Sequence, residues 1–504
     1  MSNDERVTGH LSGFANEVVG DAAWADSTED GLAYFGRFGV DEAMLRGAFD
    51  KALSRGGEWA ELFFEHRVSN HLGLEDGAVN RAFTSVSLGV GVRVVKGDQT
   101  GYAYTEELTH KAVYEAAATA AVVADGPARE TPTAFAVNTL PTRYRTEVAW
   151  DQVGVVDKMP ILSRVNERAF AADPRIVKVR VGFADSTGAI FVVESSGKTS
   201  FDRQPMARLS LSCTAEDGDR RESNGHNLAG REGFEFFTDD RVEGLTDSAV
   251  NRTLFLFDAT PAPAGTLPVV LGAGSSGILL HEAIGHGMEA DFNRKGISVY
   301  SDKLNEVIAP KDITIVDDGT HLKARGSINV DDEGVAGQRT VLVENGVLRT
   351  YMHDRISAKH YGLEPTGNGR RQSFRCPPLP RMRNTYMMPG PYSPEEIIGS
   401  VKRGVYAETF TNGQVMIGAG DFTFYIKTGY LIEDGKLTRP IKDTNIIGNG
   451  PEVLSNTDMV GNDFEFDHGG WVCGKDGQSV PVSLGMPTVR VSAITVGGVN
   501  EEGA

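Results

Sequence analysis

The run His281-Glu282-Ala283-Ile284-Gly285-His286 places two imidazoles and a carboxylate within six residues. Neutral imidazole nitrogens suit Zn²⁺, and a third ligand would leave one coordination position open for a water whose pKa the metal lowers to about 7. Glu282, next to the first His, is then a candidate base for that water's proton. The common zinc-peptidase helix carries His-Glu-x-x-His, with the two His four apart and about 40° from each other around the axis. Here they are five apart, which in a regular α-helix would set His281 and His286 about 140° from one another. For both to meet one ion the backbone must absorb an extra residue, by a π-turn or by unwinding near Gly285 and Gly287. The bland alternative is a helix end with two ordinary histidines.

The elements around this motif must deliver it to a cleft. Leu267-Pro268-Val269-Val270-Leu271 reads as a short buried strand, and Gly272-Ala273-Gly274-Ser275-Ser276-Gly277 as a tight turn into a helix with Ser275 or Ser276 as its N-cap. The same turn matches G-x-G-x-x-G, so a dinucleotide-dependent oxidoreductase is an alternative function; Asp291 is a poor ribose partner, and some 270 residues precede a turn that should open a βαβ series. A third ligand is sought downstream. Cys473 lies in a glycine-rich run where the backbone can approach an ion, although a lone Cys also serves as a small buried apolar residue. Glu289, Asp291 and His468 are equally available by composition. Asp317-Asp318-Gly319 and Asp331-Asp332-Glu333-Gly334 read first as turns, and Thr366-Gly367-Asn368-Gly369-Arg370-Arg371 as a loop that could cradle a peptide carboxylate or carbonyl.

With 504 residues, 40% of them apolar, the chain is long enough for two or more cores. Its net charge of −19 disfavours direct nucleic-acid binding, which needs a basic footprint. Three widely spaced cysteines argue against a disulfide framework and for a reducing compartment, and no apolar run approaches a membrane span, so a cytoplasmic protein is expected.

The expected fold class is α+β. Residues 1–38 read as an acidic, partly ordered arm; 39–258 as a mixed α/β domain with antiparallel hairpins; and 266–504 as a β-rich domain carrying the metal-binding helix. Helices are expected after an Asp41 cap, from about Thr109 to Ala124, from Asp157 to Ala172 with Pro160 in the first turn, and from Asp240 to Phe257. Short strands are expected at 177–183, 190–193 and 207–211, and Asn345-Gly346 and Asp434-Gly435 mark two hairpins with type I′ turns.

His281 to Arg294, the two acidic turns, Thr366 to Arg371 and Cys473 to Ser479 together resemble the TldD/PmbA family, in order and over nearly all of the chain from about residue 40. The resemblance implies a zinc metallopeptidase in which His281, His286 and Cys473 bind the metal and Glu282 is the catalytic carboxylate. It also implies flexible peptides as substrates, such as leader segments or unstructured antitoxins. The partner would be a related PmbA/TldE-type subunit lacking the His-Glu motif, or a second copy of the chain. Because this chain has the motif it resembles the catalytic kind of subunit, the alternative being a non-catalytic assembly or regulatory subunit.

Overall fold

The computed structural model describes residues 24–27, 30–467 and 469–498; the arm expected over residues 1–38 lies largely outside them. Strands β1 (Trp59–Glu75), β2 (Ala78–Lys96), β3 (Gln99–Thr105), β4 (Ala136–Val137), β5 (Ile176–Glu194), β6 (Lys198–Asp217) and β7 (Arg220–Gly230) form one seven-stranded sheet. Its order is β3-β2-β1-β5-β6, with β4 and β7 both along the outer side of β6. The strands expected at 177–183 and 190–193 are one continuous strand, β5. Its small and polar middle, Ala184 to Gly188, reads as turn material, yet it pairs with β1 on one side and β6 on the other. Asp185 in that stretch is buried and held by Lys158 Nζ at 2.6 Å and Asn70 Nδ2 at 2.8 Å.

Side chains alternate along a strand, so the even-numbered residues of β1, Leu62, Phe64, Leu72 and Leu74, share a face. That face is covered by four helices: α1 (Glu42–Ala52), α2 (His110–Ala120), α3 (Val155–Ala172) and α4 (Asp239–Asp258). Asp41 and Thr109 cap α1 and α2 through Met44 N–H and Ala112 N–H, as their positions in the sequence lead one to expect.

The second half of the chain is built on two further sheets. Strand β8 (Gly265–Leu271) pairs in parallel with β9 (Arg403–Met416), which pairs with β10 (Asp421–Glu433), then β11 (Thr444–Asn449), then β12 (Val489–Gly497). Strand β12 returns antiparallel to β8, so these five close into a ring. The other sheet has six strands and includes Ile315–Asp318, Asn384–Met387 and Ser483–Met486. A separate hairpin, Val472–Lys475 with Gln478–Pro481, carries Cys473. Both Asn-Gly and Asp-Gly turns have positive φ at each central residue, as type I′ geometry requires. The fold is α+β, and among the described residues no helix is long and apolar enough to cross a membrane.

Candidate metal centre

β8 ends at Leu271, and the chain turns through Gly272 to Ser276 into a helix of four residues, Gly277–Leu280. Strand β8 belongs to a closed ring and not to a βαβ series, so the glycine turn lacks the setting that a dinucleotide fingerprint needs. Ser276 stands at the N-cap position, but its hydroxyl makes no capping bond and is buried without a partner among the described residues. Residues His281–Gly285 then form a π-turn closed by His286 N–H donating to His281 O, followed by one 3₁₀ turn, His286–Met288. The extra residue that the spacing demands is thus absorbed between the two His. Gly285 is where the turn presses on its surroundings: a Cβ there would stand 2.2 Å from Met382 Sδ, which is fully buried.

The π-turn brings the two imidazoles together, with ring centroids 5.1 Å apart and planes at 82°. Cys473 reaches the same point from the far hairpin, and its Sγ lies 3.6 Å from His286 Nε2. One donor atom from each of His281, His286 and Cys473 lies within 4.8 Å of the other two. Zn–N distances of about 2.0–2.1 Å and a Zn–S distance of about 2.3 Å, at a tetrahedral angle, require N and S to be about 3.6 Å apart. The donor set therefore fits zinc. His281 Nδ1 is buried without a hydrogen-bond partner among the described residues. His281, His286 and Cys473 are at most 4% exposed, whereas the Glu282 side chain is 24% exposed with its carboxylate 3.9 Å from His286 Nε2. Three closed donors with one open carboxylate beside them can hold a cation and accept a proton from what approaches it.

A charged support holds this geometry. Glu289 Oε2 lies 2.9 Å from His286 Nδ1. Burial raises the Glu289 carboxyl, but Lys475 and then His286 outweigh it and bring it down to about 2. Since the carboxylate is ionised, Nδ1 carries the proton it accepts, and Nε2 is the atom turned to Cys473. Lys475, two residues after Cys473, lies 3.2 Å from Glu289 Oε2 and donates to Asp291 Oδ1 at 2.7 Å. The buried guanidinium of Arg381 donates to the carbonyl of Cys473 itself. Burial pushes the Cys473 thiol up, but His281 and His286 together hold it well below the usual thiol range. Burial lowers His286, and Glu289 and Cys473 raise it further in the opposite sense, well above the ordinary histidine value.

The other sequence candidates fall elsewhere. Glu289 and Asp291 are engaged by His286 and Lys475, and His468 lies outside the described residues. Asp317 and Asp318 end a strand instead of forming a turn, and Asp317 is spent on Arg383 Nε at 2.7 Å. In the loop at Thr366 to Arg371 the side chains of Asn368, Arg370 and Arg371 are turned to partners within the protein. Asn368 binds Asp317, Arg370 binds the carbonyls of Met382 and Pro481, and Arg371 pairs with Glu61 of β1. The only sequence signal for Lys475 is its alternation with Cys473 in a strand, which puts the two side chains on one face.

Three models of the PmbA/TldA metallopeptidase family match the chain: domain 1 at residues 60–124, the central domain at 149–255 and the C-terminal domain at 264–498. A metalloprotease TldD homolog from Haemophilus influenzae is 39% identical over 463 residues, covering 90% of this chain and 96% of that one. A zinc metalloprotease TldD homolog from Saccharolobus solfataricus is 29% identical, covering 89% and 98%. The crystal structure of TldE from Thermococcus kodakarensis shares the fold, with a TM-score of 0.70 at 21% identity over 91% of this chain and 99% of that one.

Proposed function

The chain belongs to the PmbA/TldD family of metallopeptidases, enzymes that hydrolyse peptide bonds, and from that premise we propose that it is a zinc-dependent catalytic subunit acting on flexible peptides. In this reading His281, His286 and Cys473 are the ligands and Glu282 is the base. The observation that carries it is the convergence of three buried donors from two distant segments, with the half-buried Glu282 carboxylate beside them. When bound, zinc supplies Lewis acidity and lowers the pKa of water to about 7. Glu282 accepts the proton of the attacking water on its carboxylate and passes one to the leaving amine. Glu289 keeps the proton of His286 on Nδ1, and Lys475 keeps Glu289 in place. A flexible peptide can lie as an extended strand along a sheet edge, where main-chain hydrogen bonds accept many sequences. The partner we assign is a related PmbA/TldE-type subunit or a second copy of the chain. The compartment is the cytoplasm, consistent with three free cysteines.

Glu282→Gln tests the reading. Zinc content by atomic emission should stay near one per chain while hydrolysis of an unstructured peptide falls at least about 10²-fold. His281→Ala should lose metal and hydrolysis together. Near-normal turnover by a zinc-loaded Glu282→Gln protein would remove Glu282 as the base.

A further inference from the structure

The seven-stranded sheet has a second face, opposite the helices. Near the start of β1 this face is covered: Phe63 packs with Val330 and Phe374, and Glu61 and Glu65 meet Arg371 and the Phe374 N–H. Further along β1 the same face lies open as a shallow cavity of about 430 Å³. Its floor is a row of small residues in register across the strands, Gly73 of β1 beside Gly182 of β5 beside Ser210 of β6. Arg81, paired with Gly73 across β2, stands at one end of the row, and Arg180 and Arg208 line the cavity as well. Arg180 is shared with Glu75 at 3.3 Å. Arg81 and Arg208 are exposed and form no ion pair with any carboxylate among the described residues, although the chain has 69 acidic residues against 50 basic ones. Guanidinium forks match carboxylates bidentately, and the floor carries only small polar groups, Asn80 Oδ1 lying over Gly73 and Ser210 Oγ over Gly182.

One wall of the cavity is tied to the candidate metal centre through a short stretch of chain. Gly470 donates its N–H to Asn227 on β7, and a Cβ on it would stand 2.7 Å from Arg208 Nε. Cys473 follows three residues later, at most about 11 Å along an extended chain. We infer that this trough binds an acidic peptide segment, and that its arginines hold carboxylate side chains of the same flexible substrate whose scissile bond lies beside Glu282. The inference rests on the peptidase reading for its substrate, but the binding can be measured without turnover.

The test uses the full-length protein and fluorescein-labelled peptides, an alternating Glu-Ser twelve-mer and its Gln-Ser counterpart, followed by anisotropy, with mass spectrometry reporting whether either is cleaved. The acidic peptide should bind at least about tenfold tighter than the neutral one, and the difference should shrink as salt rises. Arg81→Gln with Arg208→Gln should abolish the preference. Arg81→Glu with Arg208→Glu should reverse it towards a Lys-Ser peptide. Equal binding of the acidic and neutral peptides, or an acidic preference that survives the Glu variants, would overturn the assignment. So would an oligo-dT of equal charge that binds more tightly than the acidic peptide. Binding without hydrolysis would instead count against the peptidase reading and leave the trough standing.

Discussion

Cys473 and Lys475 sit two residues apart on one face of a strand and bear on the two nitrogens of His286, the thiol at Nε2 and the ammonium through the Glu289 carboxylate at Nδ1. The two substitutions should therefore be separable. Cys473→Ser replaces a soft thiolate with a weakly acidic hydroxyl, so zinc affinity, measured by competition with a chromophoric chelator, should fall by more than about 10²-fold. In the unaltered protein, alkylation of Cys473 should be blocked by zinc and restored by a chelator. Lys475→Met keeps all three donors but leaves Glu289 and Asp291 buried without their cation. Its zinc affinity should fall about 10- to 100-fold, the usual effect of losing an outer-sphere partner, with alkylation still protected at saturating zinc. An unchanged affinity in Lys475→Met would mean that Glu289 holds His286 unaided.

The π-turn at His281–Gly285 is the element that turns an unusual spacing into a shared site, and Gly285 is its tightest point. Gly285→Ala should drive either Met382 or the turn from its position. Overpacking of this kind typically costs about 1–3 kcal/mol, and chelator competition should show weaker zinc binding because His286 follows Gly285 directly. Met382→Ala in the same chain should recover most of the affinity, and a failure to do so would place the constraint elsewhere. The need for such a distortion was legible in the sequence, since five residues cannot span one face of an α-helix. Also legible were α1 and α2, whose caps and apolar spacing are local, and the Asn-Gly and Asp-Gly hairpins. The proposed third donor was legible only through the family resemblance, which singled out Cys473; by local pattern alone Cys473, Glu289, Asp291 and His468 are indistinguishable until the hairpin folds against the helix. Lys475 meets Asp291 across 184 residues, and no local pattern records that contact. The closed ring was hidden for the same reason: β8 meets its closing partner β12 only at the end of the chain.

At the scale of the whole molecule, the first sheet and the second half of the chain are joined by buried charge. Arg93 of β2 pairs with Glu333, Glu61 of β1 pairs with Arg371, and Asp354 caps the helix Arg355–Tyr361 through Ser357 N–H beside the same Glu333. Burial, with Glu333 adding to it, pushes the Asp354 carboxyl up to about 6, against partial relief from Arg93. The sign follows from proton counting. Between the ordinary value near 4 and about 6 the folded protein holds a proton that the unfolded chain has released, so this residue's contribution to stability declines as pH rises through that window and stays low above it. Asp354→Asn keeps an oxygen to accept from Ser357 N–H, and Asn is as good a cap as Asp, but it carries no charge to place beside Glu333. The variant should match the unaltered protein near pH 4 and become the more stable of the two as pH passes 6, by an amount on the order of 2–3 kcal/mol at pH 7.5. Urea unfolding at pH 4.5, 6 and 7.5, with zinc removed from both proteins, reads the difference directly. A variant that is less stable by the same margin at every pH would show that the Asp354 charge is welcome at the junction and that Arg93 neutralises it fully.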